Sequence, residues 1–475
     1  MSLLNLILNV MLHHSTQDHL QFIYQQVILA LAQRVTVLQQ HSLGSSALSP
    51  KTWPFDISFL PPETHLVGGS VRDALLERHS DYLDLDFVMP QGAVETAATI
   101  ARHYRAGFVL LDAERQIARV VFRQGTADFA QQVGDSLEAD LFRRDFTMNA
   151  IAYNPHTLEL IDPLNGCLDL EHCIVRMVSA ENLAEDPLRL LRAYRQAAQL
   201  GFTMQPETAA AARKLAPHLK TIAAERVQSE FHYLLTSSRG PAQLKAAWEA
   251  GLLSGWFESA GLSSLDKIDR METLFQLLKS DWPLLRERIG QPIRAQSSSK
   301  SEPKKNVEMS GGRKSSWLTM AKLASLMPDD ITIAENQLWQ LKYSRSEIHA
   351  VLAVLKTLPK LQALLETAPD SRRAQYALFQ QVGVVFPALC MQALASGIEM
   401  AALRPLINRY LDPEDVVAHP VPVLSGQDLM SHLNLPPSPQ IGRLLAALQI
   451  ARAEGLIETQ SEAIGFARRI LEQES

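Results

Sequence analysis

The sequence predicts an α+β fold in which a small mixed sheet with helices, the head, precedes an all-α neck, body and tail. Three observations lead there. Residues Leu66–Met89, LVGGSVRDALLERHSDYLDLDFVM, pass from an apolar run through a glycine turn and a helical stretch into an alternating strand. From Asp56 to about residue 175, strand-length apolar runs alternate with helical ones. Beyond Gly240, apolar residues recur at the three- and four-residue intervals of helices almost throughout.

The elements follow in order. Residues 1–55 form an N-terminal extension that opens on MSLLNLILNVML, apolar but too short to span a bilayer and without the basic flank of a signal peptide. One or two helices are expected there, ending in the Ser/Gly/Pro-rich stretch Ser42–Pro54. The head occupies 56–175, with strands expected at His65–Val67, around Asp84–Phe87, at Phe108–Leu111, Ile117–Phe122 and Ala127–Ala130, and a helix over Val94–Tyr104. The neck occupies 176–240 and the helical body and tail 241–475, interrupted near 296–316 by QSSSKSEPKKNVEMSGGRKSS, too polar to pack a core and read as a flexible insertion. Near the end, Ser425 and Asp428 have capping-box spacing, and Ile441, Leu444, Leu445 and Leu448 form one helix stripe expected in a core.

Composition narrows the class. With 475 residues, 47% of them hydrophobic, the chain can bury several cores. Three cysteines without C-x-x-C spacing give neither a disulfide framework nor a zinc site and fit a reducing cytoplasm. A net charge of -6 gives no global attraction to nucleic acid, so any RNA site must be a local basic patch. No membrane partner is expected.

The chemistry concentrates in Leu66–Met89. Alternate side chains of a strand share a face, so Asp84 and Asp86 project together while Leu85 and Phe87 turn into a core. Two adjacent carboxylates repel unless a cation sits between them, and hard oxygen ligands suit magnesium, Mg2+. Two such ions, roughly 3.5–4 Å apart, can clamp the attacking and leaving oxygens of phosphoryl transfer. Upstream, Gly68 and Gly69 allow a tight turn and close approach of backbone to a phosphate, Ser70 is placed to cap the following helix, and Arg72 lies in its first turn as a planar fork for phosphate. A solvated strand edge and an ordinary glycine turn are the plainer readings of either device alone. Together they point to a nucleoside triphosphate and its magnesium.

LVGGSVRDALL followed by DLDF resembles the head of class II tRNA nucleotidyltransferases and bacterial poly(A) polymerases, within the polymerase-beta-like nucleotidyltransferase superfamily. The resemblance runs from about Leu60 to about Leu235 and returns near the C-terminus. DLFRRDFTMNA at Asp140–Ala150 is similar to the family's RRDFTxNA motif, which implies that Arg144 steers triphosphate oxygens while Asp145 and Asn149 bond the ribose. EDPLRLLRAYR at Glu185–Arg195 is similar to its EDxxR motif. The resemblance implies that Asp186 and Arg189 select cytosine and adenine by imitating a Watson–Crick partner, with Arg192 and Arg195 toward the phosphates. Asp186 before Pro187 is equally a natural helix cap. The resemblance also implies that Asp128 is a third carboxylate that helps deprotonate the primer hydroxyl or completes the metal site; a strand-end aspartate in a turn is the alternative.

The implied activity is template-independent addition of CMP to the tRNA 3′ end from CTP, as CC or as the full CCA with ATP. Only QQVGDSLE separates the third carboxylate's strand from Ala139 and Asp140, whereas CCA-adding members usually carry a longer loop there. The short loop favours a CC-adding enzyme, with a separate A-adding enzyme acting on the same tRNA. An A-adding enzyme and a poly(A) polymerase stay open within the family; a catalytically silent RNA-binding scaffold is the alternative from another class. Arg443, Arg452 and Arg468 are candidates for tRNA contact in the tail.

Overall fold

The computed structural model describes residues 47–80, 82–293 and 315–474. The extension before Ala47 and nearly all of the insertion, apart from Ser315 and Ser316, lie outside the described residues. The chain divides into two compact units. Among described residues the first comprises 47–222 and 249–252, and the second 223–248, 253–293 and 315–474.

The first unit is built on β1 (His65–Val67), α1 (Gly69–Leu75), β2 (Leu83–Met89), α2 (Ala93–Tyr104), β3 (Gly107–Asp112), β4 (Ile117–Val121), β5 (Gly125–Gln131), α3 (Leu137–Leu141), β6 (Ala152–Tyr153) and β7 (Leu160–Ile161). The seven strands form one sheet in the order β3-β4-β5-β2-β1-β6-β7. Only β2 and β5 pair in parallel; every other neighbour is antiparallel, which makes the sheet mixed as the sequence predicts. The parallel contact arises because α2 and the β3–β4 hairpin return the chain to the side of β2.

Alternation divides the central strands into two faces. Leu85, Phe87, Ala118, Val120, Ala127 and Phe129 are buried on one, where the Phe87 and Phe129 rings stack 5.2 Å apart. Residues before Asp56 join this core: Trp53 meets Phe87 edge-on at 5.1 Å, and Phe55 stacks on Phe122 at 5.9 Å. The last residues of the expected extension therefore pack as part of the head, because two aromatic side chains supply apolar cover that the sheet face would otherwise lack.

Helices α4 (Gly166–Glu171), α5 (Ala180–Glu185) and α6 (Leu188–Leu200) complete the part of this unit that bears on the site. The neck carries one feature beyond helices, a short parallel pair of β8 (Ile174–Val175) and β9 (Thr203–Met204). Cys173, exposed and at φ +57°, leads into β8, and its carbonyl accepts from the Thr203 N–H at 2.8 Å.

The second unit is helical. Phe386–Ala395 is buried along its whole length and forms the centre of the body. Trp317–Ser325 starts at a cap made by Ser316 and carries Lys322, whose ammonium donates to the Leu235 carbonyl at 3.0 Å and to Glu272 at 2.6 Å. Among the described residues two stretches, Arg345–Thr367 and Arg372–Ala395, are long and apolar enough to cross a bilayer, but their most apolar parts are 50% and 72% buried, as core helices are. At the end of the chain Leu429, Ile441, Leu444 and Leu448 join one core with Leu445 packed against it, and Ser425 and Asp428 form the expected reciprocal cap.

Candidate active site

The turn between β1 and α1 approaches β2 closely. Gly68 has φ +76° and is the N-cap residue of α1, and a Cβ built on it would stand 3.2 Å from Asp86 Oδ2 and 3.6 Å from Arg144 Nη1. Only glycine fits both the left-handed backbone and the gap. The expected Ser70 cap is corrected here: α1 begins two residues earlier than a Ser70 cap implies, and the Ser70 hydroxyl instead donates to the Val67 carbonyl at 3.2 Å. Arg72 forks onto Asp73 at 2.9 and 3.0 Å and donates from Nη1 to Asn149 Oδ1 at 2.8 Å.

Strand register builds the polar face. Asp84 lies opposite Thr126 and Asp86 opposite Asp128 across the parallel pair, and Arg119 of β4 lies opposite Asp128. The Thr126 hydroxyl donates to Asp84 at 2.6 Å. Arg119 donates to both Asp128 oxygens, at 2.6 and 2.7 Å, so the third carboxylate is held by a guanidinium. Enclosure by protein atoms, then the charges of Asp84 and Asp128, push Asp86 up to about 7 against the opposing pull of Arg144 and Arg119.

The stretch after α3 faces this pair. Asp140 accepts from the Val133 N–H and from Arg144 Nη2, both at 3.0 Å, and so pins the 132–136 connection and the arginine with one carboxylate. Arg144 Nε is buried with no hydrogen-bond partner. Asp145 accepts from Phe146 N–H, from Asn149 at 2.9 Å and from Arg192 Nε at 3.0 Å. Burial works to raise its carboxyl, but Arg192, Asn149, the Phe146 amide and Arg189 together hold it below the ordinary range. Asn149 also donates to Gln196 at 3.1 Å, so one polar chain joins α1, the turn after α3 and α6.

A cleft of about 450 Å³ opens over these groups. Gly68, Gly69, Ser70, Arg72, Asp84, Asp86, Arg144, Asp145, Asn149, Arg192 and Arg195 all line it. Asp128, Asp186 and Arg189 are not among its lining residues. Asp186 is not the N-cap that its position before Pro187 suggests: Pro187 itself is the N-cap of α6, and the Asp186 carboxylate, one residue outside, accepts from the Leu188 N–H at 3.3 Å. Arg189 donates to the carbonyls of Arg143 at 3.1 Å and Asn182 at 2.9 Å, while the Asn182 amide donates to the Phe142 and Arg144 carbonyls at 2.8 Å. The junction of α5 and α6 is thus stapled to the turn that presents Arg144.

Sequence reasoning missed Gln196, Asp73, Asp140, Thr126 and Arg119. Gln196 had a local signal, since it follows Arg192 by four residues and shares its helix face. Thr126 and Arg119 had none, because their placement depends on which strands become neighbours. Chemically the cleft opposes a carboxylate pair with five arginines, Arg72, Arg78, Arg144, Arg192 and Arg195, the combination that phosphoryl transfer from a polyphosphate requires.

Comparisons with known proteins agree with this fold. Residues 64–176 match the poly A polymerase head domain, 201–260 the probable RNA and SrmB-binding site of polymerase A, and 313–467 a putative tRNA nucleotidyltransferase domain 2. A CC-adding tRNA nucleotidyltransferase of Synechocystis sp. is 48% identical over 420 residues, covering 88% of this chain and 96% of the relative. An A-adding tRNA nucleotidyltransferase of Deinococcus radiodurans is 32% identical over 87% of this chain and 96% of its own length. Among solved structures, a Thermotoga maritima CCA-adding enzyme complexed with tRNA shares the fold at a TM-score of 0.63 and 21% identity, covering 86% of this chain and 91% of that one. With a near-full-length relative at 48% identity and the three domain models in chain order, the chain belongs to the tRNA nucleotidyltransferase family of nucleotidyl-transferring enzymes.

Proposed function

We propose that this protein adds two cytidylates from CTP to the 3′ end of tRNA, without a nucleic-acid template and with Mg2+, and leaves the terminal adenosine to a separate A-adding enzyme. The observation that carries the reaction is the Asp84/Asp86 pair lining a cleft of about 450 Å³ together with Gly68 and Arg144, which stand close to Asp86. CC addition is favoured by the Synechocystis relative and by the short 132–136 connection, fixed through Asp140. A cytoplasmic location agrees with the three free cysteines.

The donor set fits a divalent cation. Asp84 and Asp86 present hard oxygens on one face, and burial, then the neighbouring charges of Asp84 and Asp128, drive Asp86 toward neutrality, a pull that a cation would relieve. These two residues would hold Mg2+, with water and phosphate oxygens as its remaining ligands. The ion, when bound, supplies charge neutralisation at the α-phosphate and at the attacking oxygen.

The protein's own groups do the rest. Arg144, with its unpartnered buried Nε, binds the triphosphate together with Arg72, Arg192 and Arg195. Asp145 and Asn149, locked by Arg192 and Gln196, orient the ribose. The primer's terminal hydroxyl attacks the α-phosphorus in line and loses its proton to water; the new P–O bond forms as the bond to pyrophosphate breaks. Asp186 and Arg189 read the base edge, which requires them to exchange their contacts with Leu188, Arg143 and Asn182 for the nucleotide.

The test gives full-length protein Mg2+, CTP, ATP or both, and tRNA lacking CCA, ending in the first C, or ending in the second. Product lengths are read at single-nucleotide resolution. Arrest after two cytidines with ATP present is expected. Completion to CCA, addition of A alone to CC-ended tRNA, or long adenosine tails would each replace the CC reading with another member of the family. Asp84→Ala should abolish incorporation while tRNA affinity stays close to the parent; retained incorporation would remove the pair from the mechanism.

A further inference from the structure

The carboxylate face contains a group that the proposed reaction does not use. Arg119 engages both oxygens of Asp128 with one planar fork, at 2.6 and 2.7 Å. Register sets Asp128 directly beside Asp86, and Asp84 beside Thr126, whose hydroxyl takes one of its oxygens. Arg119 also feels the charges of Asp84 and Asp86, so its guanidinium belongs electrostatically to the whole face. No cluster of three acidic, histidine or cysteine ligands suited to a metal occurs among the described residues, although three aspartates share this face. What keeps the third one out is visible: its lone pairs already point at Arg119.

We propose that Arg119 is a positioning residue that sets the charge of this face. It withholds Asp128 from the cation and fixes that carboxylate beside Asp86, so a divalent ion meets the two carboxylates of Asp84 and Asp86 and not a third. This rests on the reading of Asp84 and Asp86 as the cation-binding pair. The sign of each substitution follows. Removing the guanidinium leaves Asp128 bare next to Asp86 and tightens cation binding; removing the Asp128 charge leaves Arg119 bare and weakens it. Removing both restores the balance. A pair that served only to hold β4 against β5 would give no such opposed shifts.

The experiment titrates the full-length protein with Mn2+ alone, counting free ion by electron paramagnetic resonance without nucleotide or tRNA. Arg119→Gln should bind Mn2+ about tenfold more tightly and Asp128→Asn about tenfold more weakly, the scale of one added or lost unit charge at neighbouring-strand distance in a partly screened site. The double variant should return to within about threefold of the parent. Arg119→Lys, which keeps the charge, should bind like the parent and controls for folding. Shifts of the same sign in the two single variants, or an unchanged Arg119→Gln, would overturn the proposal. Asp84→Asn separates the two levels: if it binds Mn2+ as well as the parent, the cation-binding pair itself is misassigned, whereas weakened binding there with an inert Arg119→Gln sinks this inference alone.

Discussion

Gly68 shows how much a missing side chain can carry. Its φ of +76° strains any side chain placed there, and at 3.2 Å from Asp86 Oδ2 an added Cβ would push that carboxylate aside. Gly68→Ala should strain the turn by about 1–2 kcal/mol and displace Asp86 or Arg144 from the cleft. A misplacement on that scale is expected to lower kcat/KM for CMP incorporation by roughly a hundredfold, measured in single turnover; a loss below threefold would mean the turn has slack. Asp145 acts through charge. Its carboxyl is held below the ordinary 3.8, so the folded state binds its proton less readily than the unfolded chain does. That stabilisation is fully present above pH 3.8 and is lost as pH falls through the lowered value. Asp145→Asn should therefore destabilise the protein near neutrality, and the gap from the parent should narrow as pH drops below 3.8, followed by urea unfolding across a pH series.

At the scale of elements, the strands and helices that hold the site were legible because their signals are local. The alternation of LDLDF placed Asp84 and Asp86 on one face and Leu85 and Phe87 on the other, and burial of the latter two bears this out. The helix expected over Val94–Tyr104 and the strand expected around Asp128 stand within a residue or two of α2 and β5. What could not be read depends on neighbours distant in sequence. Arg119 and Asp128 meet because β4 and β5 pair, and Asp128 reaches Asp86 because β5 returns beside β2. Local spacing encodes neither pairing. Asp186 and Arg189 illustrate the same limit: their helix was legible, but the carbonyls that Arg189 binds belong to Arg143, on a turn in the head, and Asn182. Ser70 failed differently, since an N-cap is decided by where the chain turns, and Gly68 turns it first.

At the scale of the whole molecule, stability is distributed over two cores, and the second contains a buried charge. Lys322 is 1% exposed and binds Glu272 and the Leu235 carbonyl, tying Trp317–Ser325 to the helices Leu262–Asp281 and Ala224–Thr236. Burial drives its ammonium below the ordinary value, and Glu272 opposes that pull. Lys322→Met should cost about 3–5 kcal/mol because it strands the carboxylate of Glu272, and Lys322→Met with Glu272→Leu should recover most of the loss. Urea unfolding of the full chain measures both; equal destabilisation by the single and double variants would show that the charge pair is not the cause.

The exposed thiol at Cys173 has a practical consequence. Cys167 and Cys390 are buried, and burial pushes both thiols up, out of the reactive range, with Asp162 adding to the effect at Cys167. A maleimide dye or a surface linker therefore attaches at one native position in the folded chain, just ahead of β8, with no engineered cysteine and no sequence change in the cleft. The molecule comes with its own address for single-molecule observation of nucleotide-by-nucleotide growth.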